Sequence, residues 1–324
     1  MIRKIFFLAA MALLPILGMP TAQAQTYPSR PVRIVVGFAP GGGTDIVARL
    51  LAQKLTEAMG QSFIVDNRAG ATGMIGAKIV ATAPADGYTL LMGHVNSQAI
   101  APALMESPLY DPVKDFAAVT YVGYVPNVLV VNSNLPVKTV AQLIALAKSR
   151  PKGLTFASPG VGSTNHLAGE MLRKETGGNY LHVPYKGSGP SIVAILAGDI
   201  DMNFDAMPSV APFIRSGRMR ALAVTTSERD PELPNVPTMS ELGFKSFEIT
   251  NWYGMVAPAG TPAAVIASLN GAIQRILSMP DVRRKLAEFG IHGQTMTPEQ
   301  FGQFIGVESA KYRSIAKRTG VKLE

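Results

Sequence analysis

Apolar residues along the chain fall by turns into short continuous runs and into runs with helical spacing. Val32–Phe38 is a largely apolar run rich in β-branched residues, which predicts a buried strand. Thr44–Met59 follows with apolar residues at intervals of three and four, which predicts an amphipathic helix. The same order returns later in the chain, at Leu154–Ala157 with His166–Glu175 and at Ile200–Phe204 with Val210–Ser216. This alternation is typical of βαβ units, so we expect a parallel sheet with helices on both faces.

The last part of the chain has a different pattern. Three amphipathic helices are predicted there without strands between them, at Thr261–Leu277, Asp281–Phe289 and Thr297–Arg318. Two stretches, Tyr121–Val131 and Phe247–Ala257, have an extended pattern. If both are strands that cross between two lobes, the segment between them is an inserted second α/β lobe, and the lobes enclose a hinged cleft. We therefore expect lobe 1 to comprise residues 25–125 and 248–324, and lobe 2 residues 126–247.

The first 24 residues have the layout of a secretory signal peptide. Arg3 and Lys4 precede the apolar run Ile5–Met19, and the small-residue triplet Ala22–Ala24 follows it. The alternative is a transmembrane anchor, but the run is shorter than the roughly 20 residues that span a bilayer. We expect cleavage after Ala24 and a periplasmic mature chain. No other stretch reaches spanning length, so we expect no membrane insertion.

The composition removes several classes of chemistry. The 324 residues are 47% apolar and 16% charged, which excludes an intrinsically disordered chain. The absence of cysteine excludes disulfides, thiolate metal sites, a thiol nucleophile and a cysteine-linked lipid. The four histidines are scattered without metal-ligand spacing. We therefore expect neither a metal ion nor another cofactor.

The positive charge does not predict a nucleic-acid partner. The formal net charge is +8, and loss of a leader that carries two basic residues and no acid leaves +6. The basic residues are dispersed and are not interleaved with aromatic residues, so we expect no nucleic-acid binding. A mild attraction for anions is the inference that remains.

Two glycine-rich loops are the main candidates for a binding site. Phe38–Asp45 leaves a buried strand and opens a helix, and Ser158–His166 does the same in the other predicted lobe. The first N–H groups of a helix are unpaired and lie at the positive end of its dipole, so each loop is a candidate anion site. Ligands of open α/β sheets bind at this end of the strands.

The alternative for either loop is a tight turn in which Ser163 or Thr164 only caps its helix. Neither loop matches a nucleotide-binding motif, because the first lacks the P-loop lysine and the second is not GxGxxG. Neither contains a basic residue, whereas phosphate sites usually recruit lysine or arginine. A carboxylate is therefore the anion that fits better.

Further candidates stand near predicted strand ends. Tyr185 follows a strand, and the alternative for it is a surface turn; Asp205 follows another, and the alternative is a helix cap. Ser97 follows the third strand and is either a ligand donor or a cap. Ser163 and His166 are a possible nucleophile and base, but no orienting acid is evident, so we expect no enzyme and keep an exported hydrolase as an alternative.

Several motifs together resemble the Bug (TctC-like) proteins, the extracytoplasmic solute-binding receptors of tripartite tricarboxylate transporters. They cover essentially the whole mature chain in order. The matching runs are Tyr27–Val36, Phe38–Asp45, Val65–Ala71, Asp86–Leu90, Gly162–Leu167, Val183–Gly187 and Gly198–Met202.

The resemblance implies a type II periplasmic-binding-protein fold, with two doubly wound α/β lobes joined by two crossing strands around a ligand cleft. It implies that backbone N–H groups, hydroxyls and waters of both loops hold one ligand carboxylate. Carried over to this chain, the cradle residues are Ala39, Gly42, Gly43 and Asp45 in the first loop and Ser158, Gly160, Gly162, Ser163, Thr164 and His166 in the second. We expect the distal part of the ligand near Phe38, His94, Ser97, Tyr185 and Asp205.

The resemblance also implies a mechanism and partners. A small carboxylate ligand shifts the lobes toward a closed form, which then docks on a membrane permease of the TctA/TctB type. The alternative within binding proteins is a sensor that presents its ligand to a membrane kinase. We expect the receptor to be a monomer.

Overall fold

The computed structural model describes residues 27–245, 247 and 249–319. The leader predicted at residues 1–24 lies outside this range. Within the described residues the chain forms one mixed nine-stranded sheet. Its strands are β1 (Val32–Val36), β2 (Phe63–Asn67), β3 (Thr89–His94), β4 (Phe116–Asn132), β5 (Leu154–Ser158), β6 (Tyr180–Pro184), β7 (Met202–Ala206), β8 (Met219–Val224) and β9 (Thr250–Pro258).

Helices follow most of the strands and cover both faces of the sheet. A 3-10 turn (Ala71–Gly73) leads into α2, and a π-helical segment (Asn96–Ile100) leads into α3. The α-helices of the described residues are α1 (Gly43–Met59), α2 (Met74–Ala81), α3 (Ala101–Leu104), α4 (Val140–Ser149), α5 (Thr164–Thr176), α6 (Ser188–Ala197), α7 (Met207–Arg215), α8 (Ala263–Ser278), α9 (Pro280–Glu288) and α10 (Pro298–Thr319).

The strand order divides the sheet into two parallel halves around a pair of long crossing strands. The order is β2-β1-β3-β9-β4-β7-β5-β6, and β8 also pairs with β4. β1 is parallel to β2 and β3, and β5 is parallel to β6 and β7. β4 and β9 run antiparallel to all their partners. The side of β1–β3 is lobe 1 and the side of β5–β8 is lobe 2, which is the two-lobed arrangement that the resemblance implies.

β4 changes its partners in the middle of its length. It pairs with β9 as far as Pro126, which lies opposite Thr250. From Asn127 onward it pairs with β7 and β8 instead. We propose that the lobes divide here, within one residue of the boundary predicted between residues 125 and 126. The return boundary predicted at residue 248 falls on a position outside the described residues.

Both faces of the sheet are buried, which explains the continuous apolar runs of its strands. Successive residues of a strand point to opposite faces. Leu129 and Val131 accordingly belong to one hydrophobic cluster, and Val128 and Val130 belong to the other. Each cluster contains residues of both lobes, so on each face of the sheet the hydrophobic core continues from one lobe to the other.

Several predicted elements differ from the structure. The sheet is mixed and not purely parallel, because the crossing strands run antiparallel to their neighbours. The strand predicted to end at Phe38 ends at Val36, where the chain turns into the first glycine loop. The strand predicted at Ile200–Phe204 is β7, two residues later, so Asp205 lies inside a strand. The helix predicted from Val210 begins at Met207, with a proline in its first turn where no N–H partner is needed.

Candidate functional site

The first glycine loop is shaped by the carboxylate of Asp45. Asp45 lies in the first turn of α1 and is buried. Its Oδ2 accepts hydrogen bonds from Gly41 N at 3.0 Å and Arg49 Nε at 2.9 Å, and its Oδ1 accepts from Asn67 Nδ2 at 2.9 Å. Burial alone would raise the pKa of Asp45, but the bonds from Arg49, Gly41 and Asn67 outweigh it and lower the pKa below its usual value. The ionised side chain therefore fixes the backbone of the loop through the bond from Gly41 N.

The second glycine loop is shaped by Ser163 and two stacked imidazoles. Ser163 is the N-cap of α5: its Oγ accepts from His166 N at 3.3 Å and donates to Gly160 O at 2.7 Å. His166 Nδ1 accepts from Gly162 N at 3.0 Å, and its ring stacks on His182 at 4.0 Å between centroids. Burial lowers the pKa of His166 to about 3 and that of His182 to about 4, so both rings are neutral at pH 7.

The two loops meet across the cleft and bring the lobes into a closed arrangement. Hydrogen bonds between the lobes involve backbone groups of both loops. They run from Ala39 N to Lys186 O (3.0 Å), from Gly43 N to Ser209 Oγ (2.7 Å), from Thr164 N to Asn96 Oδ1 (3.1 Å) and from Thr72 Oγ1 to Val161 O (2.5 Å).

A small inner chamber lies where the N-termini of α1 and α5 approach each other. Its volume is about 20 Å³, enough for about one water molecule. Both lobes contribute to its wall. The lining residues are Phe38, Gly42, Gly43, Thr44, His94, Asn96, Pro159, Asn165, Ser188, Asp205, Ala206, Asn251 and Tyr253.

Asp205 is the acidic side chain of the inner chamber. It is 1% exposed. Ser188 Oγ donates to its Oδ1 at 2.7 Å, and Asn203 Nδ2 donates to its Oδ2 at 2.8 Å. Burial raises the pKa of Asp205 to about 6, and the donors around it, Ser188 first, limit the rise. The carboxyl group can therefore change its charge just below neutral pH.

His94 and Tyr253 form the wall that faces this carboxyl group. Burial lowers the pKa of His94 to about 3, so its ring is neutral. Its Nδ1 accepts from Asn96 N at 3.1 Å, which places the ring proton on Nε2. The hydroxyl of Tyr253 is buried and has no hydrogen-bond partner among the described residues. It lies against Gly43, where any Cβ would collide with it.

A wider outer chamber of about 260 Å³ continues from the inner one past Phe38 and Pro159, which line both. Lobe 1 contributes the turn before α2, and lobe 2 contributes the second glycine loop and the end of β6. The lining residues are Phe38, Gly70, Ala71, Thr72, Gly73, Met74, Pro159, Gly160, Val161, Tyr185 and Lys186.

Comparison with known proteins identifies the family. The family model described as "Tripartite tricarboxylate transporter family receptor" matches residues 47–321. The chain belongs to this receptor family. Protein BugT of Bordetella pertussis (strain Tohama I) is 41% identical over 302 residues, which are 93% of each chain.

Solved structures of similar receptors agree with this fold. R. palustris Rpa4515 with adipate superposes with a TM-score of 0.87 at 38% identity, over 91% of this chain and 99% of that one. MatC (Rpa3494) from Rhodopseudomonas palustris with bound malate gives a TM-score of 0.84 at 33% identity, over 89% and 99%. This receptor is thus similar to periplasmic solute-binding proteins and is not an enzyme.

The predicted site residues of this receptor divide into two groups. One group lines the chambers directly: Phe38, Gly42, Gly43, His94, Gly160, Tyr185 and Asp205. The other group does not line either chamber and instead makes hydrogen bonds to other residues of the protein: Ala39, Asp45, Ser97, Ser158, Gly162, Ser163, Thr164 and His166. Ser97, for example, is buried and donates its hydroxyl to His94 O at 3.2 Å.

The hydrolase alternative fails on geometry as well as on family. His166 would have to accept a proton from Ser163 through a ring nitrogen. Its Nδ1 instead accepts from Gly162 N, and the Ser163 hydroxyl donates to Gly160 O. Ser163 and His166 serve the shape of the loop and not a reaction.

The sequence analysis missed several lining residues. Thr44 and Asn165 each occupy the second position of a helix that a predicted loop opens, so their place could have been inferred. Tyr253 directly follows Trp252 in β9. Successive side chains of a strand point to opposite faces, so these two residues have different surroundings. Trp252 donates its Nε1 to Glu308 in the core of lobe 1, and Tyr253 lines the inner chamber.

Two further findings concern the described residues alone. None of their helices combines the length and the apolar character that a membrane crossing requires. In the same part of the chain, no three His, Asp or Glu side chains are grouped as candidate metal ligands.

Proposed function

We propose that this receptor captures a small carboxylic acid between its lobes and closes over it. The observation that carries the proposal is the pair of helix N-termini at the inner chamber: Gly43 and Thr44 begin α1, and Asn165 lies in the first turn of α5. Two helix dipoles whose positive ends lie at the same chamber, one from each lobe, favour an anion that both lobes share. Such a ligand lowers the free energy of the closed form by bridging the lobes.

The chemistry of the relatives supports a carboxylate as this anion. Similar structures contain adipate and malate. Neither loop of this receptor carries a lysine or arginine side chain, and a carboxylate requires less compensating charge than a phosphate does. We therefore propose the predicted residues of both loops as the carboxylate cradle, with the distal part of the ligand in the outer chamber.

We further propose export, removal of residues 1–24, and delivery of the ligand to a membrane permease of a tripartite tricarboxylate transporter. N-terminal sequencing of the periplasmic protein tests the first part, since it should begin at Gln25. Uptake of a labelled acid in a strain that lacks the gene tests the second. Uptake that falls without the receptor supports transport, whereas unchanged uptake with a lost transcriptional response supports the sensor alternative.

A calorimetric or thermal-shift titration tests the capture itself. The mature chain is unfolded, refolded and titrated with malate, citrate, adipate, nicotinate and terephthalate, each beside its full amide. An acid at 100 times its Kd should add about 2.7 kcal/mol to the free energy of unfolding, and its amide should add none. Acids that fail to bind, or amides that bind equally well, would overturn the cradle.

A further inference from the structure

A groove lies on the face of β9 opposite the inner chamber. Residues of this strand alternate between the two sites: Thr250 and Trp252 line the groove, whereas Asn251 and Tyr253 line the inner chamber. Further walls come from β4 and α10 of lobe 1 and from residues 225–231 of lobe 2. We call it the hinge groove, because both lobes line it beside the crossing strands. Its volume is about 640 Å³, within the range of small-molecule sites.

Aromatic side chains form much of the wall that lobe 1 contributes to the hinge groove. The ring of Phe304 makes T-shaped contacts with Tyr121 and Trp252, at 5.4 Å and 5.6 Å between ring centroids. Tyr124 lies beside the ring of His292 at 5.2 Å. All five side chains line the groove. Aromatic rings bury the apolar part of a ligand, and their faces also attract a positive charge.

The hydroxyl of Tyr121 is an unused hydrogen-bonding group in this wall. Tyr121 is 2% exposed, and within the described part of the chain its hydroxyl has no hydrogen-bond partner. Burial raises the pKa of Tyr121, and the carboxylate of Glu308 raises it further, so the hydroxyl is protonated and lies near that carboxylate. A buried hydroxyl without a partner costs free energy, which a polar group of a ligand would recover.

The hinge groove has a surplus of negative charge. Its acidic side chains are Glu228, Asp230 and Glu308, and its basic side chains other than His292 are Arg229 and Lys311. Arg229 is compensated from outside the groove, because its Nε donates to Glu241 at 2.9 Å. Asp230 is paired with His292 at 3.0 Å. Glu228 forms no salt bridge within the described residues. A cation is therefore the ligand that the charges of the groove favour.

Lys311 shows that an ammonium group fits beside the buried acid of this groove. Its Nζ lies 3.3 Å from Glu308 Oε1, and Glu308 is 6% exposed. The lysine side chain is itself 39% exposed and has a flexible stem. It can therefore move into solvent and leave its place to the ammonium group of a ligand.

We propose that the hinge groove is a second ligand site, which binds a small organic ammonium ion with an aromatic or apolar body. The body packs on the rings of Trp252 and Phe304. The ammonium group donates hydrogen bonds to the Glu308 carboxylate and to the oxygen of the Tyr121 hydroxyl. This ligand is opposite in charge to the acid proposed for the cleft, and its binding does not depend on the carboxylate cradle.

Trp252 provides a local signal for the test, because it is the single tryptophan of the chain and its Nε1 donates to Glu308. Phenethylamine is titrated into the mature receptor at pH 7.5 while the fluorescence of Trp252 is measured. The matched probe is 2-phenylethanol, which has the same ring and chain length but no charge. Phenethylamine should change the emission in a saturable way and bind about fivefold or more tightly than the alcohol, as expected for one ion pair with an aromatic contact.

Two variants change the affinity for phenethylamine in opposite directions. Glu308→Gln removes the charge and should weaken binding to the level of the alcohol, whereas Lys311→Met removes the competing ammonium group and should strengthen binding about threefold or more. Glu106→Gln is the matched control, because Glu106 is an exposed acid after α3 that does not line the groove, and it should leave the affinity unchanged.

Three results would overturn the proposal. They are an alcohol that binds as tightly as the amine, an unchanged affinity in Glu308→Gln, and an emission of Trp252 that phenethylamine does not alter. None of them bears on the carboxylate cradle, since both probes lack a carboxylate.

Discussion

Single residues decide how closely the two lobes can approach. Gly43 is the clearest case, because its Cα faces the hydroxyl of Tyr253 and the hydroxyl of Ser209 from lobe 2 accepts its N–H. A side chain here would have to displace buried groups on both sides. The glycine is therefore required by two close contacts, with Tyr253 within lobe 1 and with Ser209 across the cleft.

Gly43→Ala should lower the free energy of unfolding by about 1–3 kcal/mol, the usual cost of overpacking. Removal of the colliding atom in Gly43→Ala with Tyr253→Phe should restore most of this loss, which urea denaturation of the four members of the cycle would measure. Gly271→Ala, in the middle of α8, is the control; an added Cβ there would make only an ordinary contact with the end of the Arg275 side chain, so this variant should stabilise the protein by up to about 1 kcal/mol. Additive losses in the double variant would contradict the assigned collision.

Asp205 makes stability depend on pH in the direction opposite to most acids. Its pKa is raised to about 6 by burial, from an ordinary value of 3.8. Between pH 4 and 6 the folded chain retains a proton that the unfolded chain has lost, so this residue's contribution to stability falls as the pH rises. Asp45, whose pKa is lowered, acts in the opposite sense, because its contribution to stability is lost as the pH falls.

A comparison with Asp205→Asn isolates the contribution of Asp205, because Asp45 is the same in both proteins. The free energy of unfolding of the unmodified receptor, minus that of the variant, should fall by about 3 kcal/mol from pH 4 to pH 7. Urea denaturation at several pH values measures it. A difference that is flat with pH for Asp205→Asn would show that its pKa is not raised.

At the scale of elements, a helix N-cap can stabilise its helix alone, or it can also shape the binding site. Ser163 caps α5 and also donates to Gly160 O inside the second loop. Thr139 caps α4 through a bond from Gln142 N, and α4 does not border either chamber. Variants of these two caps therefore distinguish an effect on helix stability from an effect on the shape of the site.

Ser163→Ala and Thr139→Ala should each lower the free energy of unfolding by about 1 kcal/mol, because each leaves a helix N–H without its cap. Only Ser163→Ala should also weaken the binding of the acid, by roughly fivefold, since the loop loses its bond to Gly160 O. Denaturation and calorimetry on the same two variants measure the two effects. Equal affinities in both variants would mean that the cap does not shape the cradle.

The sequence predicts elements better than it predicts their contacts. The two glycine loops could be located because each follows an apolar run and precedes a helical pattern, and Asp205 could be placed near a strand end. The bond from Gly43 to Ser209 joins residues 166 positions apart, so no local pattern contains it. His166 could be predicted for the cradle from its place in the second loop, but the bond that its ring accepts from Gly162 N could not. Such tertiary hydrogen bonds set the direction in which a side chain points, and no local sequence pattern shows them.

At the scale of the whole molecule, binding depends on the equilibrium between open and closed lobes. Thr72 lies at the mouth of the outer chamber and donates its hydroxyl across the cleft to Val161 O. Ala71 and Thr72 both have a positive φ, 45° and 55°, which side chains other than glycine rarely adopt. The closed form maintains this strained turn, and the strain suggests a role in closure.

Thr72→Ala removes one of the hydrogen bonds that join the lobes across the cleft, so it should shift the equilibrium toward the open form. One such bond is worth about 1 kcal/mol, which reduces the affinity for an acid about fivefold. Thr72→Ser keeps the hydroxyl and should keep the affinity. Small-angle scattering with a saturating acid should show the same compact form for all three proteins, because the ligand still favours closure. If Thr72→Ala binds as tightly as Thr72→Ser, the bond to Val161 does not contribute to closure, and the remaining contacts between the loops suffice.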